Sequence, residues 1–180
     1  LFIAGITALF LAFSSAYIYT RVQNGTPAVQ IPLIFIFNTL LLFLSSITLM
    51  KAKKYYRRDQ TASYKHALLL AIVLSIVFLV GQIYGWSSLF RQQIPVSHSQ
   101  AASYLYLISG IHFVHVLVGI PFLVLFYTSA LKRMVDPVTV LLYFADPEKK
   151  LKLKLLTLYW HFLDVLWIYL VIFFVVNSLL

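Results

Sequence analysis

Residues 67–90 read ALLLAIVLSIVFLVGQIYGWSSLF and contain no charged side chain. An α-helix rises about 1.5 Å per residue, so about 20 apolar residues cross the ~30 Å hydrocarbon core of a bilayer. This run is long enough to span a membrane as one helix. It is too long and too continuously apolar for a strand of an outer-membrane barrel, which has about 10 residues that alternate between apolar and polar.

Four other apolar runs have the same length and character. We therefore predict an all-α, polytopic membrane protein in which residues 1–180 form a single helical bundle. Its five predicted transmembrane spans cover approximately residues 1–20, 31–50, 67–90, 101–131 and 155–176.

The composition supports a membrane protein. Hydrophobic residues make up 62% of the chain and charged residues 11%, whereas a soluble domain has about 25% charged residues. The chain has no cysteine, which excludes disulfides, thiolate metal sites and cysteine nucleophiles. The 14 basic and 5 acidic residues would suggest a nucleic-acid partner in a soluble protein, but here the basic residues lie between the apolar runs. We therefore expect no nucleic-acid binding.

The basic residues are distributed unevenly between the two sides of the predicted membrane domain. On one side, the connections that follow the first and third spans carry only Arg21 and Arg91. Lys and Arg residues concentrate on the cytoplasmic side of membrane proteins, so we predict a cytoplasmic N-terminus and a periplasmic or external C-terminus. The other 12 of the 14 basic residues are Lys51, Lys53, Lys54, Arg57, Arg58, Lys65, Lys132, Arg133, Lys149, Lys150, Lys152 and Lys154.

Four ionisable residues lie within the last two spans. His112 and His115 are three residues apart on span four, and His161 and Asp164 are three apart on span five, so each pair shares one helical face. Helix geometry places the two pairs at similar depth, and Asp164 is the only acid in any span. Because a carboxylate inside the hydrocarbon costs several kcal/mol, a partner is expected.

Four interpretations of this cluster remain open. The favoured one is an interhelical clamp, in which Asp164 pairs with a histidine and fixes the register of the bundle. The second is a lipid-headgroup or proton-relay role, and the third is a haem held by one histidine from each helix, opposed by bulky neighbours such as Trp160 and Trp167. The fourth is a zinc site with three histidines and one aspartate.

Two sequence motifs resemble the cytochrome c oxidase subunit III family. Residues 109–119 read SGIHFVHVLVG, and residues 159–167 read YWHFLDVLW; both are similar to histidine-bearing helices of that family. Two further stretches, NTLLLFLSS at 38–46 and Gly81-Gln82 with a following Trp86, agree in the same order. Besides the four ionisable residues, the positions that carry the resemblance are Asn38, Thr39, Ser45, Ser46, Gly81, Gln82, Trp86, Gly110, Gly119, Trp160 and Trp167.

The resemblance implies a role in aerobic respiration. Five spans match the short bacterial form of subunit III, a non-catalytic subunit of a haem–copper terminal oxidase in the cytoplasmic membrane. Its expected partners are catalytic subunit I, subunit II and membrane phospholipid, in a hetero-oligomeric complex or a respiratory supercomplex. Haem and copper are expected in the partner subunits, with no catalytic, metal-binding or cofactor-binding residue in this chain. The expected contribution is stability, lipid binding and proton supply.

The chain departs from the family pattern at two positions. Ile6 and Gly85 stand where family members usually carry membrane glutamates, so a role that depends on those carboxylates is in doubt for this chain. Two alternatives remain: a small b-type cytochrome with haem between spans four and five, and subunit III of a quinol oxidase. A proton-coupled transporter is disfavoured, because no span is interrupted at its middle by adjacent Gly and Pro.

The predicted orientation can be tested by cysteine labelling, since the chain has no native cysteine. A cysteine at Gln92 should react with an impermeant thiol reagent added to intact cells, and a cysteine at Gln60 should react only after the membrane is opened. Labelling of position 60 in intact cells, with position 92 protected, would reverse the topology.

Overall fold

The computed structural model describes residues 2–25 and 29–179, with Phe2 described by its backbone alone. Leu1, residues 26–28 and Leu180, which belong to the predicted 1–180 domain, lie outside the described residues. In the described ranges the chain is helical and contains no strand. The helices are α1 (Phe2–Asn24), α2 (Leu33–Tyr56), α3 (Thr61–Arg91), α4 (Gln100–Arg133), α5 (Pro137–Ala145) and α6 (Pro147–Leu179).

Five of these helices, all except α5, are long and apolar enough to cross a membrane. The prediction of an all-α, multi-pass membrane protein is therefore confirmed. The helices are longer than the predicted spans because they continue into their polar ends. For example, α3 begins at Thr61 and α6 begins at Pro147, several residues before the corresponding apolar runs.

The start of α6 shows why the helix begins before its apolar run. Asp146 precedes the helix, and its Oδ1 accepts hydrogen bonds from the backbone amides of Glu148 at 3.0 Å and Lys149 at 3.2 Å. Proline at the first helical position has no N–H that would need a partner. The Lys149 ammonium, 2.7 Å from Oδ2 of Asp146, donates the hydrogen bond that chiefly holds the pKa of this carboxyl below its usual range.

The short helix α5 was not predicted. It starts with the same Asp-Pro signal, at Asp136 and Pro137, and the backbone amide of Asp136 donates to Oγ1 of Thr139 at 3.2 Å. Its sequence is apolar but too short to span a bilayer, so the length of the run gives no transmembrane helix in this connection between spans four and five. The aromatic pair Tyr143 and Phe144 at its end is buried.

These two aromatic residues attach α5 to the bundle. The Phe144 ring lies 5.1 Å from the ring of Tyr56 on α2 and 6.1 Å from that of Tyr64 on α3. The hydroxyl of Tyr56 also donates to the carbonyl of Tyr143 at 2.9 Å. The connection between α4 and α6 is thereby packed against the ends of α2 and α3.

Four helices form the centre of the bundle. The hairpin of α2 and α3 has the most extensive contact, α4 packs on α3, and α6 packs on both α2 and α4. Helix α1 packs mainly on α4 and to a smaller extent on α6. Its buried residues, Ile6, Phe10, Ser14 and Tyr17, recur every three or four positions and so form one helical stripe.

The contact between α4 and α6 requires a glycine. A Cβ atom at Gly119 would lie 2.5 Å from Cζ3 of Trp160 and 3.2 Å from Cε1 of Tyr159. The Trp160 side chain is 1% exposed, so it has no room to move away. Gly110, nine residues earlier on the same helix, would place a Cβ atom with no neighbouring atom within 4 Å.

We predict that Gly119→Ala destabilises the folded chain and that Gly110→Ala does not. The methyl group at position 119 must displace a buried indole, which costs about 1–3 kcal/mol. At position 110 the substitution removes only a helix-weakening glycine. Thermal unfolding of both variants in detergent, followed by tryptophan fluorescence, measures the difference. Equal unfolding temperatures would contradict the packing described for α4 and α6.

Candidate functional site

His112 lies in the centre of an aromatic cluster. Its ring, which is fully buried, is 4.9 Å from the ring of Trp167 and 5.9 Å from that of Phe78. Trp167 also packs against Phe35, at 5.7 Å. The cluster thus takes one ring from each of α2, α3, α4 and α6. Both ring nitrogens of His112 lack a hydrogen-bond partner among the described residues.

Asp164 is also buried, with 5% of its surface exposed. Within residues 2–25 and 29–179, neither carboxylate oxygen forms a hydrogen bond of acceptable geometry. The hydroxyl of Ser46 is close enough to interact with the carboxylate, but the polar atom that it contacts is Nδ1 of His161. The predicted pair between Asp164 and a histidine is therefore wrong. The depth of a residue in the membrane, which the sequence predicts, does not show which way its side chain points.

The other two histidines have separate partners. His161 contacts Ser46, which links α6 to α2. Nδ1 of His115 is 2.7 Å from the carbonyl of Ile111 on its own helix. The His115 carbonyl accepts a hydrogen bond from the hydroxyl of Tyr159 at 2.9 Å, which links α4 to α6. Similar depth in the membrane therefore does not bring the four ionisable residues into one cluster.

This arrangement bears on the metal and haem interpretations. In the part of the chain that the structure describes, no three His, Cys, Asp or Glu side chains converge as metal ligands, so the zinc set of three histidines and one aspartate is not assembled. A haem between α4 and α6 does not fit either. The ring of His112 is packed against Trp167 and Phe78, and Trp160 fills the space beside Gly119.

Hydroxyl and indole groups make the hydrogen bonds that join the helices at this depth. Nε1 of Trp160 on α6 donates to Oγ of Ser45 on α2 at 3.1 Å. The Ser45 hydroxyl is also 3.3 Å from Oγ of Ser75 on α3. One indole and two hydroxyls thereby connect three helices, and all three side chains are buried.

A second polar contact lies two helical turns away. Nδ2 of Asn38 on α2 donates to Oε1 of Gln82 on α3 at 3.3 Å. The close approach depends on Gly81, because a Cβ atom there would collide with Oδ1 of Asn38. Beside Asn38, Oγ1 of Thr39 donates to the carbonyl of Phe35 on its own helix at 3.0 Å.

Further along, α3 and α4 are joined through Trp86. Its Nε1 donates to Oγ of Ser109 at 3.0 Å, and the hydroxyl of Tyr106 donates to the carbonyl of Ile94 at 3.0 Å. Near the same end, Nη1 of Arg21 on α1 donates to Oδ1 of Asn177 on α6 at 3.2 Å. The Trp86 and Arg21 hydrogen bonds each join two different helices, and the Tyr106 hydrogen bond holds the connection between α3 and α4.

The two positions that depart from the family pattern have a physical explanation. A side chain at Gly85 would collide with the ring of Phe35, so the packing of α2 leaves no space for a carboxylate there. Ile6 is 6% exposed and belongs to the apolar stripe of α1. A carboxylate at this position would be buried among apolar side chains.

Ser75 and Ser109 were missed as candidate residues. Ser75 lies in the apolar run quoted above, and Ser109 opens the first histidine motif. The signal for Ser75 was present in the spacing, since Asn38 and Ser45 are seven residues apart, as are Ser75 and Gln82. Two antiparallel helices with the same spacing can pair both polar positions.

Comparison with known proteins identifies the family. The family model described as cytochrome c oxidase subunit III matches residues 5–178. The chain belongs to this family. It is 29% identical to cytochrome c oxidase subunit 3 of a Synechocystis species over 178 residues, which is 96% of this chain and 71% of the relative.

Two other relatives are named as third subunits of different oxidases. Cytochrome c oxidase subunit 3 of Bacillus sp. strain PS3 is 29% identical, covering 94% of this chain and 79% of the relative. A probable quinol oxidase subunit 3 of Staphylococcus aureus is 27% identical, covering 91% of this chain and 81% of the relative. The resemblance seen in the two histidine motifs is therefore confirmed as membership of the subunit III family.

The indole hydrogen bond at Trp160 gives a prediction with an internal control. Trp160→Phe removes the bond to Ser45, whereas Trp167→Phe removes an equally buried indole whose Nε1 has no partner among the described residues. Interhelical hydrogen bonds in membranes contribute about 0.6 kcal/mol on average, to a maximum near 1.7 kcal/mol. We expect Trp160→Phe to lower the stability in detergent more than Trp167→Phe. The opposite order would show that ring packing, rather than the hydrogen bond, dominates at this depth.

Proposed function

We propose that this chain is the non-catalytic third subunit of a haem–copper terminal oxidase in the aerobic respiratory chain. The observation that carries the proposal is the family match over residues 5–178, which covers nearly all of the five helices that, in the described residues, are long enough to span a membrane. The relatives that match along most of this chain are named as subunits of oxidases.

The surroundings of the ionisable residues support a structural contribution. His161 contacts Ser46 on α2, the ring of His115 lies 6.1 Å from that of Phe10 on α1, and His112 is enclosed by aromatic rings of other helices. These contacts engage the histidines in packing between helices. In this proposal haem and copper belong to the partner subunits, and the chain supplies stability, lipid binding and proton supply to the catalytic subunit.

The proposed partners follow from the same role. The chain packs against catalytic subunit I, in a complex that also contains subunit II, and it lies in a bacterial cytoplasmic membrane. Relatives named for cytochrome c oxidase and for quinol oxidase match at similar identity. The proposal therefore covers a haem–copper oxidase with either electron donor, since the donor is selected by other subunits.

The orientation in the proposal rests on charge. The connections between α2 and α3 and between α4 and α6, together with the adjoining helix ends, carry 12 of the 14 basic residues. We call this end of the bundle the basic face. The positive-inside rule assigns it to the cytoplasm, the side from which protons for oxygen reduction are taken in this role.

Removal of the subunit from the purified oxidase tests the proposal. The depleted complex should keep its haem and copper content and its visible spectrum, because haem and copper ligands are provided elsewhere. Its first turnovers of oxygen should proceed at the rate of the intact complex, and sustained activity or stability should decline. Metal analysis, absorption spectroscopy and oxygen consumption measure these outcomes.

A mock treatment that retains the subunit is the control, and re-addition of the purified chain should restore sustained turnover. Loss of a haem or a copper in proportion to the subunit removed would reject the proposal. A haem spectrum from the isolated chain would instead establish the b-type cytochrome alternative.

A further inference from the structure

A cavity opens on the basic face between the end of α2 and the start of α6. Its volume is about 240 Å³. Four cationic side chains line it, two from each helix, and its remaining lining is apolar or aromatic, with no acidic residue. The cationic residues are Lys53, Arg57, Lys150 and Lys154.

Two acidic residues next to the start of α6 are paired within the chain, and a third, Asp59, lies near Tyr56 but does not line the cavity. Asp146 pairs with Lys149 at 2.7 Å and Glu148 pairs with Lys152 at 2.6 Å, and neither of these lysines lines the cavity. The Lys149 ammonium also lies 4.5 Å above the ring of Tyr143. Along the described parts of the chain, none of the four cavity cations forms an ion pair. Four positive charges around one cavity repel each other, so the cavity favours an anion.

The apolar part of the lining indicates what kind of anion fits. Tyr56 and Leu153 form a buried wall, whereas Leu151 is 55% exposed beside the lysines. One turn further along α6, Leu155 is also 55% exposed. A cationic rim that continues into an exposed apolar strip matches a phosphate joined to acyl chains. A free phosphate ion would use only the rim.

Helix α5 supports a lipid surface at this level of the bundle. Its side chains Val138, Leu141 and Leu142 are each about two-thirds exposed, although the helix is too short to span a membrane. Lys132 and Arg133 precede α5 and Lys149 follows it, and exposed apolar residues flanked by basic ones are typical of segments that lie at the boundary between headgroups and acyl chains. The basic face therefore lies where phospholipid headgroups are within reach.

We propose that this cavity binds the phosphate group of an acidic phospholipid of the adjacent leaflet. The four cationic side chains surround the phosphodiester, and the start of one acyl chain lies along Leu151 and Leu155. The inference deepens the lipid-binding part of the proposed function by naming a site. It rests on the chain's own membrane surface and is independent of which oxidase the chain serves.

The test is a lipid titration of purified protein monitored by native mass spectrometry. It uses the oxidase complex and, separately, the full chain in detergent, so that lipid affinity is measured whether or not a variant enters the complex. The probes are phosphatidylglycerol, phosphatidylcholine and inorganic phosphate. The variants are K53Q/R57Q and K150Q/K154Q, which remove two cavity charges each, and K51Q/K54Q, which removes two charges from the end of α2 outside the cavity lining.

Wild-type protein should bind phosphatidylglycerol in preference to phosphatidylcholine. A cation that contacts the phosphate donates a charge-assisted hydrogen bond to it, so the loss of two such cations should lower the affinity about tenfold or more. Both cavity variants should show that loss, whereas K51Q/K54Q, which removes the same charge without touching the cavity lining, should lose clearly less affinity.

Three results would overturn the inference. An equal loss in K51Q/K54Q would mean that only the general surface charge matters. Equal binding of phosphatidylcholine would mean that the headgroup charge is not recognised. Displacement of phosphatidylglycerol by an equal concentration of inorganic phosphate would identify a free-anion site. A chain that binds phosphatidylglycerol as described but never co-purifies with an oxidase would contradict the proposed function and leave this site standing.

Discussion

The helices of this protein cannot be held together by apolar burial alone, because lipid tails are as apolar as leucine. Close packing and interhelical hydrogen bonds must supply the association. Both are centred on two tryptophans of α6, Trp160 and Trp167, which are seven residues apart and 1% exposed. Trp167 contacts rings on α2, α3 and α4, and Trp160 contacts Ser45 on α2 and lies against Gly119 on α4.

The seven-residue spacing recurs on every central helix. Asn38 and Ser45, Ser75 and Gln82, and His112 and Gly119 are each seven apart, as the two tryptophans are. Seven residues correspond to about two helical turns, so the two members of each pair lie on the same face of their helix. Gly119 and Ser45 lie against Trp160, and Ser75 contacts Ser45. The rings of Phe35, Phe78 and His112 lie against Trp167, while Asn38 and Gln82 form a separate contact between α2 and α3.

The polar residues divide into two groups with different consequences. Serine, asparagine, glutamine and tryptophan side chains form several of the hydrogen bonds between helices, among them Trp160 to Ser45, Asn38 to Gln82 and Trp86 to Ser109, and these suit a membrane interior because neither partner is charged. The carboxylate of Asp164 and both ring nitrogens of His112 are buried without a hydrogen bond in the described part of the chain. The hydroxyls of Tyr64 and Tyr143 are likewise buried without a hydrogen bond among the described residues. At the basic face the groups without an ion pair are cations. Lys149 and Lys152 are paired within the chain, whereas the four cavity cations form no ion pair among the described residues and can bind an anion.

The amino-acid sequence by itself determined the fold class, the approximate positions of the five spans and the family. Each of these follows from local composition or from short motifs: the length of an apolar run and two histidine-bearing stretches in order. The tertiary structure alone decided which side chains meet. Depth in the membrane places His112 and Asp164 at one level, but the rotation of each helix turns His112 towards Trp167 and leaves Asp164 without a histidine. A local Asp-Pro signal marks the start of α5, but the position of α5 and the cavity at the basic face depend on how the connection between α4 and α6 folds back, through a long-range contact between Phe144 and Tyr56.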